Sequence, residues 1–246
     1  MGHRQLHDHR ILITGGTSGL GRALVAELGA RGARVAFVAR HGDEVARTAR
    51  AHPGSHGIAG DIARKEDIYP IAIEALGALG GVDVLVNNAS SLGPVPLAAL
   101  ADTDCEDLAL ALATNLVGPF RLTKALLGSL AAAAREGRHP LVLNVSSDAA
   151  ITPYASWGAY GASKAALRHL SRIWDQELAP EGVRVLSVDP GDMDTPLHAL
   201  AVPDADREAL KRPQAAAREI AELIELVVRG PGEASATTAS NPLEVA

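Results

Sequence analysis

The sequence predicts an α/β protein built on a doubly wound parallel sheet with helices on both faces. Six short segments rich in Val, Leu and Ile alternate with six helix-length segments, and turn residues bound them. Strands joined by helix-length crossovers run parallel and are covered on both sides. The expected strands are 10–14, 34–39, 55–59, 82–87, 140–146 and 183–188. The expected helices lie near 20–31, 42–51, 64–79, 104–134, 155–179 and 213–229.

Length and composition indicate a single domain over residues 1–246. The 246-residue chain is 47% hydrophobic, which is enough to bury one large core. Net charge is −6 and the Lys and Arg residues are scattered, so nucleic-acid binding is disfavoured. Cys105 is the only cysteine, which favours a cytoplasmic protein. No apolar run approaches the roughly 20 residues that span a bilayer, so no membrane association is expected.

A glycine-rich turn separates the first strand from the first helix. In Gly15-Gly16-Thr17-Ser18-Gly19-Leu20-Gly21, Gly15 allows a tight turn and Gly19 lets the backbone approach a pyrophosphate. Gly21 lets the helix pack closely on the strand, and the helix N-terminus offers unpaired N–H groups to phosphates. The motif therefore predicts a dinucleotide site, and a strand-to-helix turn without a ligand is the alternative.

A second motif carries proton-transfer chemistry. Tyr160 and Lys164 are four residues apart, so on a helix they share one face. A tyrosine phenol has a pKa of about 10, and a nearby cation is expected to lower that pKa. Ser147, thirteen residues before the tyrosine, can hold a substrate oxygen while the phenol transfers a proton. A surface tyrosine beside a surface lysine is the alternative interpretation.

The end of the second predicted strand indicates which dinucleotide binds. An acidic residue there would bind the ribose hydroxyls of NAD, but this chain has Ala39 followed by Arg40. An arginine pairs bidentately with phosphate, so NADP(H) is predicted over NAD(H), with NAD(H) as the second choice. The alternative is that Arg40 is a solvated charge at the start of a helix.

Together these motifs resemble the short-chain dehydrogenase/reductase family in its compact single-domain form, from about Arg10 to about Val228. Ser90 stands where the family's Asn-Asn-Ala-Gly segment has its glycine. The other segments that carry the resemblance are Gly60-Asp61-Ile62, Leu85-Val86-Asn87-Asn88-Ala89-Ser90, Asn115 and Asp189-Pro190-Gly191-Asp192-Met193-Asp194-Thr195.

The resemblance implies roles for the site residues. Tyr160 would exchange the proton with the substrate oxygen, Ser147 would polarise the carbonyl, Lys164 would hold the nicotinamide ribose, and Asn115 would order a water in the proton relay. The predicted cofactor contacts are Gly15, Thr17, Ser18, Gly19, Leu20, Arg40, Asp61, Ile62, Asn87, Ala89, Ser90, Tyr160, Lys164, Pro190, Gly191, Met193 and Thr195.

Substrate expectations rest on two shorter stretches. Residues 153–160 and 192–195 are similar to the sepiapterin and benzil reductase branch, which implies a ketone or dicarbonyl substrate. The residues expected near that substrate are Asp148, Tyr154, Trp157, Asp192 and Leu197. Residues 193–212 break the alternation and would form a lid over the substrate. No metal is expected.

Two further functions stay open from the sequence. One is an NADP(H)-sensing regulator without turnover, because one fold hosts many functions. The other is a dehydratase or epimerase that uses the same hydride chemistry. The resemblance implies a homo-oligomer, either the homotetramer common in the family or a homodimer through the long helices. The family's usual C-terminal ending, which contributes to oligomer contacts and so bears on the homotetramer, is not recognisable, although residues 230–240 could form a strand.

Overall fold

The computed structural model describes residues 6–230 and arranges them as six strands and eight helices in alternation. The strands are β1 (Arg10–Thr14), β2 (Arg34–Ala39), β3 (His56–Ala59), β4 (Val84–Asn87), β5 (Leu141–Val145) and β6 (Arg184–Val188). The helices are α1 (Gly19–Ala30), α2 (Gly42–Ala51), α3 (Lys65–Leu79), α4 (Cys105–Leu112), α5 (Gly118–Arg135), α6 (Gly158–Leu178), α7 (Pro196–Ala201) and α8 (Pro213–Val228). The strand expected within 230–240 lies, apart from Gly230, outside the described residues.

The sheet confirms the predicted fold class. Its order is β3-β2-β1-β4-β5-β6, and every neighbouring pair is parallel. The chain first winds outward from β1 to β3 and then crosses back to β4, so the order reverses between β1 and β4. Ligands of such sheets bind beyond the carboxyl ends of the strands at this reversal. The glycine-rich turn follows β1, and Asn88 follows β4, at that point.

Burial on both faces explains why the strands are continuous apolar runs. In β1, Ile11 and Ile13 pack in a core with side chains of α1 and α8, while Leu12 packs on the opposite face with side chains of α3 and α5. All three are fully buried, and each such side chain contributes about 1.5–3 kcal/mol relative to exposure. The two cores hold the strand ends, and hence the loops that follow them, in fixed positions.

Two helices differ from their predicted extents. The stretch expected as one helix over 104–134 contains a π-helical turn at Ala113–Val117 between α4 and α5. The helix expected from 155 begins at Gly158, because Ser156 has a φ of +67° in the left-handed region, which a continuing α-helix excludes. None of the helices described within residues 6–230 is both long and apolar enough to cross a membrane.

Candidate active site

The glycine-rich turn has the geometry of a phosphate-binding loop. Gly15 has a φ of +73°, and its N–H donates to the Val38 carbonyl at 2.8 Å, which ties the turn to β2. A Cβ at Gly21 would collide with the Gly15 carbonyl oxygen, so helix α1 packs against the turn as closely as the sequence predicts. Ser18 is the extended N-cap of α1 and its side chain makes no capping bond. The first N–H groups of α1 are therefore available to an anion.

A cavity of about 680 Å³ runs from this turn to Tyr160. It brings together most of the predicted cofactor residues, which come from the ends of separate strands. Those lining it are Gly15, Thr17, Ser18, Gly19, Leu20, Arg40, Asp61, Ile62, Ala89, Ser90, Tyr160, Lys164, Pro190, Gly191, Met193 and Thr195.

Asn87 departs from its predicted place, because it does not line this cavity. Its side chain is buried beneath the rim, where Nδ2 donates to Asn144 Oδ1 at 2.8 Å. The neighbouring Asn88 lines the cavity instead and donates to the carbonyl oxygens of Thr14 at 2.9 Å and Gly15 at 3.3 Å. Side chains alternate across a strand, so only one of two consecutive asparagines faces the rim, and the sequence alone did not show which one.

Ser147, Tyr160 and Lys164 meet at the inner end of the cavity. Tyr160 and Lys164 lie on the buried face of α6, with only 8% and 2% of their surface exposed. The Lys164 ammonium donates to the Val145 carbonyl at 2.8 Å and lies 5.5 Å from the centre of the Tyr160 ring. The hydroxyl of Ser147 donates to Asp148 Oδ1 at 2.9 Å, and that of Ser90, the residue that replaces the family's glycine, donates to Asn115 Oδ1 at 3.3 Å.

The pKa of Tyr160 does not follow the sequence-based expectation. Burial raises this pKa to about 12, and the hydrogen bonds from Ser147 and Ser90 offset the rise only in part. Burial also lowers the pKa of Lys164 to about 8, with the Asp189 carboxylate opposing that change. The expected lowering of the Tyr160 pKa by Lys164 is not seen, because desolvation of the phenol is the largest effect and the Asp189 and Asp148 carboxylates also raise this pKa. At neutral pH the phenol is therefore protonated and can donate its proton.

Asn115 lies in the π-helical turn and is fully buried, so it does not line the cavity. Its Oδ1 accepts from the Ser91 N–H at 2.8 Å, and its Nδ2 donates to the Ser91 carbonyl at 2.7 Å. Nδ2 also donates to Ser163 Oγ at 2.8 Å, and Ser163 in turn donates to the Tyr160 carbonyl at 2.6 Å. The side chain thus joins the loop after β4 to the helix that carries Tyr160 and Lys164.

Around Tyr160 the cavity has an apolar wall and an acidic rim. Leu92, Trp157, Leu197 and Ala201 pack around Tyr160. Asp148 and Asp192 line the rim as predicted. Leu197, which was expected near the substrate, also lines the cavity. Leu200 and Ala201, which the motifs missed, follow it at one-turn spacing on α7, and this pattern is the signal that predicts their shared face.

Tyr154 is the predicted substrate residue that does not line the cavity. Its hydroxyl donates to Asp148 Oδ2 at 2.6 Å, and its ring lies 6.2 Å from that of Trp157. It therefore stands behind Asp148. Across residues 6–230 no group of three or more His, Cys, Asp or Glu side chains is arranged to hold a metal ion.

Comparison with known proteins identifies the family. The sequence profile described as short chain dehydrogenase matches residues 9–206. Serine 3-dehydrogenase of Agrobacterium fabrum is 37% identical over 188 residues, which is 75% of this chain and 72% of that protein. Glucose 1-dehydrogenase of Gluconobacter oxydans is 31% identical over 227 residues, which is 87% of this chain and 83% of that protein.

Solved structures agree with the sequence comparisons. A 3-ketoacyl-(acyl-carrier-protein) reductase from Brucella melitensis, complexed with NADH, superposes with a TM-score of 0.82 at 26% identity over 95% of both chains. A short chain dehydrogenase from Burkholderia cenocepacia, in complex with NADP, superposes with a TM-score of 0.77 at 27% identity, also over 95% of both chains. The chain belongs to the short-chain dehydrogenase/reductase family of oxidoreductases.

Proposed function

We propose that this protein is an NADP(H)-dependent oxidoreductase that interconverts a ketone, including one carbonyl of a dicarbonyl compound, and a secondary alcohol. The observation that carries the proposal is the meeting of Ser147, Tyr160 and Lys164 at the inner end of a cavity that begins at the glycine-rich turn. A buried proton donor beside a phosphate-binding loop is what hydride transfer to a carbonyl requires.

Each residue of the set has a task that follows from its surroundings. Tyr160 donates its proton to the carbonyl oxygen during reduction, since its phenol, with a pKa of about 12, is protonated at neutral pH. Ser147 holds the same oxygen, and Lys164 orients the ribose from beneath the tyrosine ring. The apolar wall, with Leu92, Trp157 and Leu197, keeps water from the reacting carbon. The bound dinucleotide supplies the hydride.

Arg40 supports the preference for NADP(H). It follows β2 directly, lines the cavity at the end away from Tyr160, and has no acidic residue before it at Ala39. A guanidinium at this place fits a 2′-phosphate and gives the ribose of NAD no carboxylate to bind. The relatives solved with NADH and with NADP indicate that the family fold accommodates both dinucleotides.

We also propose a cytoplasmic homodimer or homotetramer, with the dimer formed through α5 and α6. Phe120 on α5 and Trp174 on α6 stack with their ring centres 5.1 Å apart, and Phe120 and Ile173 remain 37% and 43% exposed. Such an apolar surface on two long helices supports association. Sedimentation equilibrium would compare the mass in solution with the 25.4 kDa chain.

Initial rates of NADPH and NADH oxidation test the proposal directly. The substrates are vicinal diketones, quinones, cyclic ketones and pterins, and the proteins are the wild type, Tyr160→Phe and Arg40→Asp. Tyr160→Phe should lower kcat roughly 10²–10⁴-fold and leave the Kd for NADPH unchanged, because only the proton donor is lost. Arg40→Asp should reverse the NADPH-to-NADH ratio of kcat/KM.

Each failure has a distinct meaning. Full activity of Tyr160→Phe would refute the proton-transfer scheme, and an unchanged cofactor ratio in Arg40→Asp would refute the assignment of the 2′-phosphate site. Tight NADPH binding without turnover on any substrate would favour a regulator. Product formed without net oxidation of the cofactor would favour a dehydratase or epimerase.

A further inference from the structure

The part of the cavity around Tyr160 is rich in hydrogen-bond acceptors. Asp148, Asp189 and Asp192 line it, and an ionised carboxylate accepts hydrogen bonds but donates none. A carbonyl oxygen on a substrate is an acceptor as well. A hydroxyl or ammonium substituent can therefore bind to these carboxylates, whereas a second carbonyl oxygen beside the reacting ketone needs a side chain that donates an N–H or O–H.

His198 supplies such a donor, and the protein itself does not use it. Its imidazole lines the same cavity, and its closest ionic contact is Asp192 Oδ1, which lies 3.9 Å from Nε2. That distance is too long for a hydrogen bond. The Lys164 ammonium, by contrast, already donates to the Val145 carbonyl at 2.8 Å. An imidazole carries at least one N–H, so His198 can donate a hydrogen bond to a ligand.

The position of His198 on α7 places this donor beside the reaction centre. Leu197 and Ala201, on the same helix, pack around Tyr160. Successive residues of a helix are rotated by about 100°, so His198 points about 60° away from Ala201, at the edge of the face that packs there. The Thr195 hydroxyl accepts from the His198 N–H at 3.2 Å and fixes the first turn of α7. Only 15% of the His198 side chain is exposed, so the imidazole is largely withdrawn from solvent.

We propose that His198 is a specificity-determining residue that donates a hydrogen bond to the second oxygen of a vicinal dicarbonyl substrate. This inference rests on the proposed function and narrows its substrate class to ketones with a second carbonyl group next to the first. The hydride adds to the carbon of the first carbonyl and the Tyr160 proton to its oxygen, while the second carbonyl stays intact on His198. The product is an α-hydroxyketone. The contact also holds the predicted lid, residues 193–212, against the substrate.

A matched pair of substrates tests the proposal. The compounds 2,3-hexanedione and 2-hexanone have the same carbon chain, and only the diketone has a second oxygen. His198→Leu removes the N–H and keeps an apolar side chain on α7. It should lower kcat/KM for the diketone about three- to tenfold, as expected for one hydrogen bond between neutral groups, and change kcat/KM for 2-hexanone less than about twofold. His198→Gln keeps a donor and should retain most of the wild-type preference for the diketone.

A second histidine provides the control. His56→Leu removes an exposed imidazole on β3 that does not line the cavity, so its rates with both substrates should match the wild type. Equal losses with the diketone and with 2-hexanone in His198→Leu would mean that the side chain only shapes α7, and they would overturn the proposal. A preference for the diketone as strong in His198→Leu as in His56→Leu would overturn it too.

Binding without turnover separates this inference from the proposed function. The oxidised cofactor NADP⁺ has no hydride to give, so the Kd of the diketone for the complex of the protein with NADP⁺ can be measured by isothermal titration calorimetry. His198→Leu should raise this Kd about three- to tenfold and change the Kd of 2-hexanone less than about twofold. Diketone binding that depends on His198, without turnover with NADPH, would contradict the proposed function alone. A Kd for the diketone that is the same in both proteins would contradict the role of His198.

Discussion

At the scale of single residues, burial has a larger effect than neighbouring charges on the pKa values of Tyr160 and Lys164. Their spacing predicts that they share a helix face, and the structure confirms it. The spacing does not reveal that this face is buried in the protein, which raises the pKa of the phenol to about 12 and lowers that of the amine to about 8. Both shifts favour the neutral forms, so the resting site holds a proton on Tyr160.

The lowered pKa of Lys164 makes stability depend on pH. Between pH 8 and about 10.5 the unfolded lysine still binds its proton, while the folded one has released it. Because the unfolded state binds more protons in this window, the free energy of unfolding rises with pH there. We expect an increase on the order of 2 kcal/mol between pH 8 and 10 that is absent from Lys164→Met, measured by urea denaturation.

Two comparisons isolate this effect. Lys65→Met removes an exposed lysine at the start of α3 and should keep the wild-type pH dependence. The raised pKa of Tyr160 acts in the opposite direction, since its contribution to stability is lost as the pH rises from about 10 to about 12. If the free energy of unfolding changed with pH equally in the wild type and in Lys164→Met from pH 8 to 10, burial would not lower the pKa of Lys164.

At the scale of elements, the π-helical turn links the functional loops. Asn115, which is itself fully buried, connects the loop after β4 to α6 by hydrogen bonds to Ser91 and Ser163. Removing its side chain leaves the N–H and carbonyl of Ser91 without these partners. Each buried group that loses its partner costs about 1–3 kcal/mol, so Asn115→Ala should lower the free energy of unfolding by about 2–4 kcal/mol.

Urea denaturation measures this loss, and an exposed hydrogen bond provides the comparison. Thr103→Ala removes a hydroxyl that donates to the Ala99 carbonyl at 2.9 Å in an exposed turn, and it should cost less than about 1 kcal/mol. Asn115→Ala should also lower kcat, because α6 carries Tyr160. A loss no larger than that of Thr103→Ala would mean that Asn115 does not tie these elements together.

The same elements show what the sequence could and could not predict. Alternating apolar segments predicted all six strands and their shared rim, since buried parallel strands have a distinctive composition. The π-helical turn was not predictable, because one widened turn hardly changes the periodicity of apolar positions. The start of α6 was missed because the left-handed backbone of Ser156 gives no signal in a residue other than glycine.

At the scale of the whole molecule, the cavity is electrostatically polarised. One end has Arg40 and the N-terminus of α1, both of which attract phosphate. The other end is lined by Asp148, Asp189 and Asp192. Of the two lysines near that end, Lys164 donates to the Val145 carbonyl at 2.8 Å, and Lys211 donates to Glu219 at 2.8 Å and to the Pro190 carbonyl at 3.1 Å. The charges of the lining residues thus favour an anion at one end of the cavity and disfavour one at the other.

This polarity predicts selectivity for the charge of the substrate. Methyl benzoylformate and benzoylformate present the same ketone beside an ester or a carboxylate. At an effective dielectric constant of about 20, two like charges roughly 8 Å apart repel by about 2 kcal/mol, so kcat/KM should favour the ester at least about tenfold. Steady-state rates with NADPH as the fixed cofactor measure the ratio.

Salt and one substitution show whether charge causes the preference. Asp192 is an exposed carboxylate on the rim and makes its closest ionic contact with His198 at 3.9 Å. Asp192→Asn should lower the ratio of kcat/KM for the ester to kcat/KM for the acid. Raising the ionic strength from 0.01 to about 0.5 M should lower this ratio too, because salt screens the interactions of exposed charges. If neither the substitution nor the added salt changed this ratio, the preference would arise from the shape of the apolar wall and not from charge. A preference for the acid would mean that Lys164 outweighs the three carboxylates at this end of the cavity, and it would contradict the prediction.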